Sequence, residues 1–164
     1  MHLTITLNKA THRVELNDRL VISAPDRRRA MVAVRQLQAA CDERGATYRL
    51  DKPSRADVDD HLSRNWVPLW TNTVDTLARR ALGTLPADQH LVLFIEDWLI
   101  DRVVLWPLFE DMMLKAGEAN ASIVILTARQ PEVYASLADR ALHFSTATKT
   151  WRLEATDPTD PAFV

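Results

Sequence analysis

Apolar and polar residues alternate at the start of the chain. In His2-Leu3-Thr4-Ile5-Thr6-Leu7 and again in His12-Arg13-Val14-Glu15-Leu16, every second side chain falls on one face. Two short antiparallel strands around Asn8-Lys9-Ala10-Thr11 are predicted. Leu20-Val21-Ile22-Ser23 is apolar without alternation and reads as a buried strand. The period then changes. Met31, Val34, Leu37 and Ala40/Cys41 recur at helical spacing, with Asp26 placed to cap the N-terminus and Gly45 to end the helix near Arg44.

Thr47-Tyr48-Arg49-Leu50 is the next strand. Asp51 to Arg64 is polar and acidic, a loop with a short helix starting after Ser54, and Trp66-Val67-Pro68-Leu69-Trp70 interrupts it. Val74 to Leu82 reads as a helix ended by Gly83, and Pro86-Ala87-Asp88 as a turn. Leu91-Val92-Leu93-Phe94-Ile95 is the continuous apolar run that a buried parallel strand requires. Beyond it the pattern predicts a helix over Leu105–Ala116, a strand over Ser122–Leu126 and a short helix over Pro131–Arg140. Strands over Ala141–Phe144 and Trp151–Glu154 close the series. Strands alternating with helices define the α/β class: a mostly parallel sheet with helices on both faces, preceded by an N-terminal β-hairpin. One domain over residues 1–155 is expected, followed by an acidic, proline-containing and flexible tail over 156–164.

Composition changes this picture in three places. A chain of 164 residues is served by one hydrophobic core. The net charge of −2 argues against coating nucleic acid or anionic membrane through bulk charge, while leaving room for a local basic patch. The single cysteine, Cys41, closes no internal disulfide and fits a reducing, cytoplasmic setting, and its place on the apolar side of a helix makes it core. No secretory pattern opens the chain, and its apolar runs are too short to span a bilayer, so no membrane insertion is expected.

Four groups of residues carry candidate chemistry. Glu96-Asp97 ends a buried strand, with Asp101 nearby; the pair either binds Mg²⁺, with Asp97 as the candidate ligand, or caps the next helix and pairs with arginines. Arg27-Arg28-Arg29 opens a helix, where cations oppose the dipole unless an anion is near, so the run is either an anion site or a solvated face. Arg129-Gln130 follows a strand and either senses a ligand at the strand ends or, through Arg129, pairs with Glu96 or Asp97. Trp66, Trp70, Trp98 and Trp106, with Trp151, make five tryptophans, which either fill the core or mark a partner surface. The stretch Trp98 to Trp106 is more apolar than one helix face needs. The five histidines show no pair at metal-ligand spacing.

In their order these elements resemble the RecA-like branch of the P-loop NTPases, most closely FtsK/HerA-type DNA translocases and conjugative coupling proteins. ABC-type ATPases share much of the pattern. Leu20-Val21-Ile22-Ser23-Ala24-Pro25 with its helix resembles the family's first strand and phosphate loop, and Arg44 to Lys52 its second strand. Leu91 to Asp97 resembles the strand ending in paired acids, here in reversed order. Ile123-Val124-Ile125-Leu126-Thr127-Ala128-Arg129-Gln130-Pro131 resembles the strand with a Thr-Gln-Arg-Pro type ending, and Leu137 to Phe144 the last core strand. The phosphate loop departs from the family. Ser23-Ala24-Pro25-Asp26-Arg27-Arg28-Arg29-Ala30-Met31 has neither the glycines that let backbone N–H groups wrap phosphates nor the lysine that neutralises them.

A non-catalytic, NTPase-derived domain is therefore expected, acting through protein–protein contact or self-association as accessory or regulator of a larger motor, in a secretion, conjugation or division apparatus. It needs no cofactor. The alternatives are an active Mg²⁺-dependent NTPase or nuclease using Glu96 and Asp97, with ATP as its ligand in the first case, and a DNA-binding accessory using Arg27–Arg29 with Arg35.

Overall fold

Residues 2–16, 19–44, 48–51, 91–96, 110, 114–118 and 121–157 are described by the structure, a computed structural model. Strands β1 (His2–Leu7) and β2 (Ala10–Glu15) pair antiparallel with Leu7 opposite Ala10, so only Asn8 and Lys9 form the turn. The turn is two residues shorter than the Asn8–Thr11 segment expected from sequence. A two-residue connection matches the twist of paired strands when both residues adopt positive φ, and Asn8 and Lys9 do so at 48° and 66°. Asparagine tolerates that region and lysine does not. Lys9→Gly is therefore expected to stabilise the protein by about 0.5 kcal/mol, the relief of left-handed strain exceeding glycine's extra unfolded-state entropy. An unchanged or lowered midpoint in urea would contradict this.

Strand β3 (Leu20–Ser23) feeds helix α1 (Arg27–Glu43). The helical period of the sequence is realised: Ala30, Met31, Ala33, Val34, Leu37, Ala40 and Cys41 are the buried stripe, which packs mainly on β1. Strands β4 (Tyr48–Asp51), β5 (Leu91–Glu96), β6 (Ala121–Thr127), β7 (Arg140–Ser145) and β8 (Thr150–Ala155) complete a six-stranded sheet in the order β4-β5-β6-β3-β7-β8. All neighbours are parallel except β7 and β8, which form an antiparallel hairpin at one edge. The two hairpin turns meet where the Asn8 side-chain amide donates to the Lys149 carbonyl at 3.3 Å.

The two faces of the sheet are covered differently. Leu20, Ile22, Val92, Phe94, Val124, Leu126, Leu142, Phe144 and Trp151 share one core with α1 and the β1–β2 hairpin. Side chains alternate along a strand, so Val21, Ile123, Ile125 and Ala141 belong to the opposite face, where they are equally buried. On that side a 3-10 helix, Pro131–Tyr134, packs against β3, and Tyr134, Leu137 and Ala138 are buried.

The helix expected over Pro131–Arg140 is thus a single 3-10 turn followed by a further turn, with the Leu137 and Ala138 N–H groups both donating to the Tyr134 carbonyl at 2.9 Å. The sheet takes the residues that a longer helix would need. Arg140 already pairs with Leu20 and Ala155, and the Asp139 carbonyl accepts the Thr156 N–H at 3.1 Å. In the segment expected as Leu105–Ala116, Glu110 and residues 114–118 are helical, so helix runs past Ala116. The elements expected between Ser54 and Asp88 lie outside the described residues. No helix among the described residues is long and apolar enough to cross a membrane.

Candidate site at the strand ends

Two adjacent parallel strands send their chains to opposite faces of the sheet. From β3 the chain passes into α1 on the face of the large core, and from β6 it passes into the 3-10 turn on the other. Open α/β sheets form a crevice at the carboxyl ends of such strands. A cleft of about 150 Å³ lies there, lined by Ser23, Ala24, Pro25, Ala128, Gln130 and residues His143 to Ala147.

A hydrogen-bond relay organises its floor. Ser23 is buried at 2 % exposure and its hydroxyl donates to the Arg129 carbonyl at 2.6 Å. Nδ1 of His143 lies 3.1 Å from the same hydroxyl oxygen. Because the serine proton is committed to a carbonyl, Nδ1 must carry the hydrogen and donate, and the neutral ring then has Nε2 as its acceptor. The 128–130 loop is fixed in turn. The Arg129 N–H donates to Thr127 Oγ1 at 2.9 Å, and the Ala24 N–H extends the β3–β6 ladder to the Thr127 carbonyl at 3.0 Å. In this arrangement the Ser23 hydroxyl is committed to the Arg129 carbonyl rather than to the imidazole. What it does is hold one histidine in one tautomer at the cleft.

Beside the cleft, the N-terminus of α1 is occupied by the chain's own carboxylate. Asp26 caps the helix, with Oδ1 accepting the Arg29 N–H at 2.8 Å and Oδ2 paired with Arg29 Nη1. The Arg29 N–H bond, followed by the Arg29 side chain and the nearby positive charge of Arg28, holds the Asp26 carboxyl below its ordinary range. The guanidinium of Arg29 also lies 5.0 Å from the centre of the Phe144 ring, which meets Trp151 edge-on at 5.5 Å.

Among the candidates read from sequence, the structure brings Asp26, Arg29, Gln130 and the end of β3 to one end of the sheet. Arg27, Arg28 and Arg29 are exposed at the opening of α1, and the carboxylate facing Arg29 is internal. Gln130 lines the cleft, whereas Arg129, also exposed, is tied to it through its backbone. Glu96 closes β5 opposite Leu126. Asp97, Asp101, Trp66, Trp70, Trp98 and Trp106 lie outside the described residues, as does the side chain of Glu96. Among the described residues no three histidine, cysteine or carboxylate side chains are grouped to hold a metal.

The Ser23–His143 pair was missed by sequence reasoning. The two residues are cross-strand partners in the β3–β7 register, and the available signal was a polar residue near the end of each of two apolar runs. Neither a comparison with protein-family models nor one with curated proteins found a match to this chain.

Proposed function

We propose that the chain is a non-catalytic, NTPase-derived α/β domain that acts through protein–protein contact, as accessory or regulator of a larger motor in a secretion, conjugation or division-type assembly. The observation that carries this reading is the Asp26 cap. A phosphate-binding helix terminus offers free N–H groups to an anion, whereas here a carboxylate of the same chain already takes the Arg29 N–H and neutralises the Arg29 side chain. Pro25, just before it, has no N–H to give. Nucleotide phosphates therefore do not fit this terminus.

The sheet is compatible with the RecA-like part of the reading: β3, the strand that feeds α1, lies inside a parallel sheet between β6 and β7.

Isothermal titration with ATP and Mg²⁺ tests the reading, with Asp97→Ala as control. No binding heat is expected from either protein. Micromolar binding by the parent chain that disappears in Asp97→Ala would replace this reading with that of an active nucleotide-dependent enzyme.

A further inference from the structure

Helix α1 carries its charges the wrong way round for its own dipole. A helix favours anions at its start and cations at its end. The first turn of α1 instead holds Arg27, Arg28 and Arg29 with no acid, and its last turn holds Asp42 and Glu43 with no base. Asp26 answers Arg29 from the cap. Nothing within the helix answers Asp42 or Glu43, because the positions three and four residues before them are Gln38, Ala39 and Ala40. The exposed face is also self-complementary. Arg28, Val32, Ala39 and Glu43 are exposed and, at about 100° per residue, share one narrow stripe. Val32, an apolar side chain, is 46 % exposed within it. Reversed about a midpoint between Arg35 and Gln36, the stripe maps onto itself: Arg28 exchanges with Glu43, and Val32 with Ala39.

From this pattern we infer that α1 is a self-association surface, on which a second copy of this chain docks with its own α1 antiparallel about a two-fold axis. Arg28 of each copy then faces Glu43 of the other, and Val32 packs on Ala39 on either side of the centre. Identical chains pair most often through such a contact, which uses one patch twice. Small central side chains let the helices approach to about 8–10 Å. On one flank the two Arg35 side chains are bracketed by the two Asp42 carboxylates. Each basic helix start lies beside an acidic helix end, so the charges find in the second copy the counter-charge their own helix lacks. A parallel pairing would set Arg28 against Arg28 and is opposed by the same charges. A polyanion such as nucleic acid would be repelled by the acidic half of the face. This goes beyond the protein-contact reading above, which stands whether or not α1 pairs with itself.

Sedimentation equilibrium of the full chain tests the inference. One helix face lies at the small end of interface sizes, so a weak dimer is expected, with a dissociation constant on the order of 100 μM at low salt, rising as salt screens the pairs. Arg28→Glu and Glu43→Arg each turn two attractive contacts per dimer into repulsive ones and are expected to weaken it at least about tenfold. Urea unfolding is expected to show both variants as stable as the parent or more so, because each reversal suits the helix dipole. An equimolar mixture of the two variants restores opposite charges at both contacts and is expected to dimerise as the parent does. A chain that stays monomeric at millimolar concentration, a dimer that either reversal leaves intact, or a mixture that does not pair overturns the inference. None of these outcomes bears on the nucleotide titration: failure here with no ATP heat removes the self-contact and leaves the protein-contact reading in place.

Discussion

Trp151→Ala is expected to lower the unfolding free energy by about 3–5 kcal/mol, the cost of deleting a large buried aromatic side chain. Trp151 is 6 % exposed on β8, directly across from Phe144, whose ring it meets at 5.5 Å and 69°. Its removal leaves a void on the core face where β2 approaches the sheet edge. The β7 backbone cannot shift in to close that void, because it is paired on both sides, to β3 and to β8. The Phe144 ring also carries the guanidinium of Arg29, so loss of its edge partner loosens the contact between α1 and the strand ends. Urea unfolding followed by far-ultraviolet circular dichroism measures the change without relying on tryptophan fluorescence. A loss below about 1 kcal/mol, the range of ordinary surface substitutions and a little beyond, would mean that the indole belongs to a partner surface rather than to the core.

The same ring illustrates what could be read from the chain. Trp151 alternates with polar neighbours in Thr150-Trp151-Arg152, so a half-buried strand was legible, but not whether the indole faced core or partner. Strands β3 and β6 were legible because burial on both faces demands an unbroken apolar run, and β5 carries a run of the same kind. Helix α1 was legible because one stripe of it must meet the core. The error at Pro131–Arg140 has a physical origin. Tyr134, Leu137 and Ala138 recur at spacings of three and four residues, which a helix and a tight turn folded onto β3 bury equally well. Only the pairing of Arg140 with Leu20, a long-range fact, separates the two.

The site was less legible than the fold for a related reason. Arg27-Arg28-Arg29 at a helix start left an anion site and a solvated face both open, and Asp26 was in view as the cap. That Arg29, paired locally with Asp26, also lies over Phe144 depends on β7 lying beside β3, a neighbour more than a hundred residues away. Ser23 and His143 are likewise joined only by strand register. Hydrophobic period reports what faces the core, whereas a site assembled from three strand ends is encoded in sheet order.

Cys41 offers the second large effect. The thiol is fully buried on α1, and burial, with a smaller contribution from the neighbouring Asp42 charge, pushes its pKa up to about 11 from an ordinary 9.0. A thiol protonated in the folded state and ionised in the unfolded one contributes stability that is complete below the unfolded pKa. That contribution is lost as pH rises towards the folded pKa, because the unfolded chain then holds fewer protons than the native one. The window is therefore pH 9 to 11. By pH 10.5 the parent protein is expected to lose about 2 kcal/mol more, relative to its own value at pH 8, than Cys41→Ala does. Comparing that loss between the two proteins cancels the lysines and tyrosines that also titrate there. Parallel pH profiles would show that the thiol ionises as readily in the fold as in the unfolded chain. A steeper fall for the parent, together with slow reaction of Cys41 with thiol reagents below pH 9, identifies a side chain that packs the helix and has no thiolate to offer a substrate.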